Sequence, residues 1–465
     1  MLRLFKQYYP VRNAVFVVGE GIFIFLSVIF ASWIVLGNKY IDDVNIIFLK
    51  ASLITIVCQI CLYYNDLYDL KITDTFFELT IRLLQALGAS AILLAGVYYV
   101  FPQCIIGRGI FIVSIAFVVL FIVSWRFGYT QILNIGLFDQ KIILLGSGKL
   151  ADNIAREIKN KKDCGYQIAA VALNNGNLPP GLLRKEARFI CQDSYEGLSK
   201  IAQQLEVHKI IVALEERRGQ FPIQELLECR ISGIEVLEGY SFYEMLAGKL
   251  VVSQINPGWL IFSEGFQKSR PRRYIKRTID LTLSIFMLLI LSPLLLLVAI
   301  LIIIDSKGPI FYSQERIGER RKPYMMNKFR SMCQDAEKYS GPVWAQTDDD
   351  RITRVGHFIR KWRIDEVPQL FNVLKGDMSF VGPRPEREHF VKELEEVIPY
   401  YRERFSVKPG ITGWAQVSYP YGASVEDAIE KLNYDLFYIK NMSILLDLMV
   451  IMRTVKTVIF GEGSR

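Results

Sequence analysis

Residues 281–304 read LTLSIFMLLILSPLLLLVAILIII, an apolar run of 24 residues with Ser292-Pro293 at its centre. At about 1.5 Å per helical residue it is long enough to cross a bilayer core of roughly 30 Å. Its flanks argue against a crossing. Lys268, Arg270, Arg272, Arg273, Lys276 and Arg277 precede it, and Lys307, Arg316, Arg320, Arg321 and Lys322 follow. Basic residues near a membrane segment favour the cytoplasmic side, so both ends ask for the same face. Pro293 removes one backbone donor and clashes with the preceding turn. The carbonyl it strands needs a partner in lipid, and Ser292 is placed to supply one. The reading is a re-entrant helix over 276–304 that enters one leaflet, turns at Ser292-Pro293 and returns. A kinked spanning helix is the alternative.

Upstream lies a block of different composition. Residues 1–138 carry 16 charged residues against 86 in the remainder, in a chain of 465 residues with net charge +8. Apolar runs over 14–36, 44–63, 81–100 and 109–123 are each long enough to span. Glu20 and Lys50 lie inside the first two, where an unpaired charge costs a few kcal/mol, so they are expected to face the bundle. Arg3, Lys6 and Arg12 precede the first run. Lys39, Asp42 and Asp43 follow it, and Arg126 and Lys141 come after the fourth. This bias places the N-terminus and everything from residue 126 onward in the cytoplasm. No small-residue cleavage site follows the first run, so it reads as a retained anchor. With 51% hydrophobic residues the chain is not disordered, and the apolar block excludes a plain cytosolic enzyme. Seven scattered cysteines, with Cys58 and Cys61 as one isolated pair in an apolar run, point away from zinc and toward a reducing compartment.

Residues 139–265 change pattern again. Runs at 141–146, 167–173, 209–214 and 233–237 read as strands, with helical stretches at 150–159 and 223–228. This alternation predicts a parallel α/β sheet of Rossmann type. The turn Gly146-Ser147-Gly148-Lys149 suits either a tight strand-to-helix connection or a phosphate at a helix N-terminus. It is not a Walker A loop, since the leading Gly is missing and Leu150 stands at the Ser/Thr position. The second strand ends at Leu173-Asn174-Asn175, without an acid to grip a ribose. The domain reads as a spacer, sensor or dimer contact.

The chemistry-bearing block starts at Gln314-Glu315-Arg316-Ile317-Gly318 and continues through Lys328-Phe329-Arg330-Ser331-Met332 and Asp349-Asp350-Arg351. Then come Arg360-Lys361-Trp362-Arg363-Ile364-Asp365-Glu366-Val367-Pro368, Val381-Gly382-Pro383-Arg384-Pro385-Glu386 and Lys408-Pro409-Gly410-Ile411-Thr412-Gly413-Trp414-Ala415-Gln416-Val417. The adjacent acids Asp365 and Glu366 follow three cations, Arg360, Lys361 and Arg363. A carboxylate that attacks a pyrophosphate needs cations to screen the charge. Alternatively, one of the two acids caps a helix with Pro368 in its first turn and a stop at Gly376. Arg384 between two prolines suits a planar fork aimed at phosphate oxygens. Lys328 and Arg330 suit phosphate or nucleotide contacts, or a basic face on anionic lipid. His208, His357 and His389 form no cluster.

At these residues the chain resembles the large monotopic polyprenol-phosphate phosphoglycosyl transferases of bacterial envelope synthesis, in particular exopolysaccharide initiators associated with the PEP-CTERM sorting system. The resemblance implies a membrane α-helical bundle over 1–138, an α/β Rossmann-like domain over 139–265, and an α/β monotopic catalytic domain over 266–465 that carries the re-entrant helix. It implies transfer of a sugar-1-phosphate from a UDP-sugar to undecaprenyl (polyprenyl) phosphate with release of UMP. Asp365 is then the nucleophile of a covalent phosphosugar intermediate. Glu366 supports it through a metal or a proton, with Mg²⁺ held by Asp365 and Glu366. Lys328, Arg330, Arg360 and Arg384 are the expected phosphate contacts. The expected partners are the UDP-sugar, polyprenyl phosphate, the lipid bilayer and a second copy in a homodimer, with no nucleic acid. The expected location is the bacterial inner membrane, catalytic domain on the cytoplasmic face.

One departure stands out. Many family members follow Ala-Gln-Val with Asn-Gly-Arg; here Ser418-Tyr419-Pro420-Tyr421-Gly422 follows, with no Arg. A membrane-bound NAD-dependent nucleotide-sugar dehydratase or epimerase is the rival reading. It needs a Tyr-x-x-x-Lys pair within residues 139–265, and none is there. Tyr324 and Lys328 match that bare spacing only outside the domain. A non-enzymatic envelope scaffold is the third reading.

Overall fold

A computed structural model describes residues 2–4, 7–9, 11–37, 44–68, 76–134, 139–146, 148–161, 164–173, 188–191, 195, 197–214, 221–254, 265–266, 268–333, 351–420, 422 and 424–460. The chain divides into two compact units, Met1–Phe242 and Tyr243–Arg465.

The first unit begins with four long helices: α1 (Val11–Leu36), α2 (Val44–Tyr64), α3 (Phe76–Val100) and α4 (Arg108–Asn134). Each contains a stretch long and apolar enough to cross a membrane, the pattern of a multi-pass membrane protein. Gly19 lets α1 lie close to α4, because a Cβ there would collide with the Trp125 ring. Glu20 is fully buried. It accepts a 2.8 Å hydrogen bond from Arg126 Nε, whose Nη1 also donates to the Leu67 carbonyl at 2.9 Å. The Arg126 guanidinium sits 5.1 Å from the centre of the Phe16 ring. Glu20 therefore faces the bundle as expected. Arg126 does not follow the fourth helix; it lies inside it, because a carboxylate on α1 neutralises its charge. Lys50 donates to the Ile105 carbonyl at 2.7 Å. Lys6, Lys39, Asp42 and Asp43 lie outside the described residues. Glu20→Leu is expected to lower stability by about 3–5 kcal/mol, the usual cost of orphaning a buried charge. Adding Arg126→Leu should restore most of it. Thermal unfolding in detergent measures both, and an unchanged midpoint for Glu20→Leu would refute the pairing.

A five-stranded parallel sheet follows, from β1 (Gln140–Leu145), β2 (Tyr166–Leu173), β3 (Arg188–Cys191), β4 (Lys209–Val212) and β5 (Glu235–Glu238). The spatial order is β3-β2-β1-β4-β5. Helices α5 (Lys149–Asn160), α6 (Leu198–Gln204) and α7 (Ile223–Ile231) connect the strands. In the central strand Ile142, Ile143, Leu144 and Leu145 are all fully buried, which is why it reads as a continuous apolar run. Strand β3, Arg188-Phe189-Ile190-Cys191, was not expected. Gly146 has φ 112°, and a Cβ there would stand 2.7 Å from the Ala213 carbonyl oxygen. The tight turn thus needs Gly146 for close backbone approach, whatever else it does. Ser147, Asn174 and Asn175 lie outside the described residues.

The second unit is mixed α/β. Its first long element, α8 (Arg270–Asp305), has 36 residues with Pro293 inside it. Helical structure was expected to break at Ser292-Pro293, yet it continues through both. Ser292 Oγ donates to the Leu289 carbonyl at 2.8 Å, the group whose i+4 donor Pro293 lacks. Both ends of α8 are fastened to the same unit. Before the apolar run, Arg277 donates to the Val373 and Leu374 carbonyls at 2.6 and 2.9 Å. Asp280 accepts from Ser379 Oγ and Phe380 N. After the run, Asp305 accepts from Val355 N at 3.0 Å. Leu283, Met287 and Leu288 lie on the main core, and Leu295, Val298, Ala299 and Ile302 on a second cluster with Phe329 and Ile359. Between the two clusters Leu289 and Ile290 are 70% and 58% exposed, and exposed apolar residues continue along the run from Ile285 to Ile304.

Beyond α8 come an antiparallel pair, β6 (Phe311–Ile317) with β7 (Pro323–Phe329), then helices α9 (Arg354–Lys361) and α10 (Gln369–Lys375). A short parallel pair, β8 (Ser379–Val381) with β9 (Gly410–Thr412), encloses α11 (Glu388–Val397) in sequence. Helices α12 (Val425–Asn441) and α13 (Ile444–Phe460) close the unit. The core joins Leu370, Phe380, Val391, Leu394, Tyr438 and Val450.

Candidate active site

The acidic pair sits on one turn of 3₁₀ helix, Ile364–Glu366, between α9 and α10. Thr353 caps α9, its Oγ1 accepting from Gly356 N at 2.9 Å. Arg363 ends it in the left-handed region at φ 53°, and Gly376 stops α10 at φ 99°. Pro368 occupies the N-cap position of α10, where no side chain makes a cap bond. Neither acid caps that helix, so local helix chemistry does not account for them.

Asp365 and Glu366 are each 9% exposed. Glu366 Oε1 accepts from Lys328 Nζ at 2.8 Å and from Arg384 Nη2 at 3.0 Å. Burial pushes the Glu366 carboxyl up, but Lys328 and Arg384 outweigh it and hold the group well below the usual carboxylate range. Asp365 moves the other way: burial raises its pKa, and the Glu366 charge adds to the rise, while Lys328, Arg360 and Arg384 oppose it. Two adjacent carboxyls are thereby split into a firmly ionised partner and a more basic, more nucleophilic one.

Lys328 lies on β7, held in place by Asn372. The Asn372 amide donates to the Met325 carbonyl at 2.7 Å and accepts from Asn327 N at 3.0 Å. The loop bearing Arg384 is pinned along its length. Gly382 N donates to Thr412 O, Gly410 N to Pro383 O, Arg404 Nη2 to Arg384 O and Arg316 Nη1 to Pro385 O, at 2.9, 2.9, 3.0 and 3.3 Å. Arg404 is itself buried against Asp435, 3.0 Å away. The Arg384 side chain remains 42% exposed, accessible to a ligand. Arg360, in the last turn of α9, acts on Asp365 through its charge.

The structure therefore gathers Lys328, Arg360, Arg384, Asp365 and Glu366. Arg330 stands apart from the expected phosphate contacts: its guanidinium caps the end of α8, donating to the Ser306 and Lys307 carbonyls at 2.7 and 3.0 Å. Ser292 and Pro293 lie on α8, as described. Asp349 and Asp350 fall outside the described residues. Asn372, Arg404 and Asp435 escaped sequence reasoning, and Arg316 was read only as a flanking cation and part of a motif, because each acts through contacts across the fold.

Comparison with known proteins places these features in a family. The bacterial sugar transferase family matches residues 271–461, and a CoA-binding domain family matches residues 64–227. The chain belongs to the bacterial sugar transferase family. It is 41% identical over 240 residues to a UDP-N-acetylgalactosamine-undecaprenyl-phosphate N-acetylgalactosaminephosphotransferase of Aeromonas hydrophila, covering 52% of this chain and 56% of that protein. It is 32% identical over 343 residues to an undecaprenyl-phosphate glucose phosphotransferase of Komagataeibacter xylinus, covering 70% of this chain and 60% of the relative. The uncharacterized sugar transferase EpsL of Bacillus subtilis (strain 168) is 39% identical over 193 residues, 41% of this chain and 89% of its own length. The chain thus spans a little over half the length of the first two relatives.

Proposed function

We propose that this protein moves a sugar-1-phosphate from a UDP-sugar to undecaprenyl phosphate, releasing UMP, as an initiating step of exopolysaccharide synthesis. The observation that carries the reading is the split acidic pair, Asp365 beside a Glu366 fixed by Lys328 and Arg384. An Asp365 oxygen bonds the sugar-bearing phosphorus as the bond from that phosphorus to the UMP oxygen breaks. The polyprenyl phosphate oxygen then displaces Asp365, which regains its carboxylate. Lys328, Arg360 and Arg384 bind and orient the charged diphosphate. Arg330 is committed to the end of α8, so phosphate binding falls to the other three.

Asp365 and Glu366 also fit a magnesium ion. No group of three or more His, Cys, Asp or Glu gathers among the described residues, and Mg²⁺ characteristically takes one or two carboxylates together with substrate phosphates. When bound it neutralises diphosphate charge. Exhaustive EDTA treatment is expected to stop UMP release, and added Mg²⁺ to restore it; full activity after chelation would refute the metal.

The topology follows the same reading. A lipid-borne phosphate lies at headgroup level, so α8 is best read as a re-entrant helix that dips into the inner leaflet. Support comes from its two ends, fastened by Arg277 and Asp305 to a single unit. The catalytic domain then faces the cytoplasm, at the inner membrane. We read the parallel sheet of the first unit as Rossmann-like and as the natural place for a homodimer contact. Screening UDP-sugars with undecaprenyl phosphate for UMP release and for a lipid-linked diphosphate sugar tests the function. Absence of both with every donor, including the N-acetylgalactosamine, glucose and galactose forms, would overturn it.

A further inference from the structure

Two residues of the segment that departs from the family pattern, Tyr419 and Gly422, are tied to the start of α12. Tyr419 Oη donates to Asp427 Oδ1 at 2.8 Å, and Ser424 and Asp427 form a capping box that starts α12. One turn further along α12, Lys431 Nζ donates to the Gly422 carbonyl. Lys431 stands four residues before Asp435, the partner of Arg404, and Arg404 holds the Arg384 carbonyl. At that spacing Lys431 and Asp435 share a helix face, the face turned to the Arg384 loop. Among the described residues, Glu386, Asp427, Arg384 and Arg404 are charged groups that act on Lys431. Arg384 thus links the two lysines: it shares Glu366 with Lys328 and lies within electrostatic reach of Lys431.

This inference rests on the transferase reading above. In an in-line displacement the leaving group departs opposite the attacking atom. As the Asp365–phosphorus bond forms and the phosphorus–oxygen bond to the nucleotide breaks, the electron pair leaves on the α-phosphate. We propose that Lys431 is the cation that receives this α-phosphate. It contacts the departing nucleotide, and Arg384 the phosphate under attack.

UMP inhibition of UDP-sugar turnover by the full-length enzyme in detergent tests this, with Lys431→Gln and Lys431→Arg. Gln removes the charge and keeps a donor for the Gly422 carbonyl. The Gln variant is expected to raise the inhibition constant of UMP about tenfold or more and to lower kcat. The inhibition constant of uridine, which has no phosphate, should stay unchanged, and the Arg variant should remain near wild type. An unchanged UMP constant in Lys431→Gln, or equal losses for UMP and uridine, would overturn the assignment. Failure of the underlying reading looks different: the wild-type enzyme itself would then release no UMP from any UDP-sugar.

Discussion

Asp365→Asn is expected to abolish turnover, lowering the rate of UMP release by about three orders of magnitude or more, as loss of a covalent nucleophile does. The fold should survive. The Asp365 pKa is raised in the folded state, so its ionised form opposes folding above the unfolded-state pKa. A neutral amide of the same shape relieves that opposition, and the variant should unfold at the same temperature or higher. Acidification gives a matching signature: kcat/KM should fall as Asp365 takes up its proton, at a pH above the ordinary carboxylate range. A trapped phosphosugar should label Asp365 in the parent and vanish in the variant. Retention of a large share of the wild-type rate would remove Asp365 from the mechanism.

Replacing Ser292-Pro293 by Leu-Leu is expected to redirect α8. The change restores the missing backbone donor and favours a straight helix, and 24 apolar residues then suffice to cross. Single cysteines placed near Lys268 and Lys307, in a background without reactive native thiols, report the faces through an impermeant thiol reagent on inverted vesicles. In the parent both positions should react. In the Leu-Leu variant one should become protected, with loss of activity, since Arg277 and Asp305 can no longer reach the same unit. Opposite labelling in the parent would overturn the re-entrant reading.

Much of this architecture was legible because it is written locally. Four apolar runs of spanning length mark α1 to α4, short β-branched runs mark four of the five parallel strands, and Gly376 stops α10 where a C-terminal glycine should. What was not legible depends on partners far away in the chain. Arg126 sits inside a membrane helix because of Glu20, 106 residues earlier. Arg330 resembles a phosphate ligand until the carbonyls of Ser306 and Lys307 are brought to it. Neither acid of the Asp365–Glu366 pair shows which is the harder to ionise; only the folded positions of Lys328 and Arg384 make that difference.

The placement of Leu283, Met287 and Leu288 against the main core has a practical result. A water-soluble fragment beginning after Asp305 would lose part of its own interior along with its greasy segment. Ser379 Oγ and Phe380 N would lose their acceptor Asp280, and the Val373 and Leu374 carbonyls their donor Arg277. Removing α8 to gain solubility would therefore disturb the interior of the second unit, so detergent or nanodisc preparations that keep α8 are the material in which to assay the reaction.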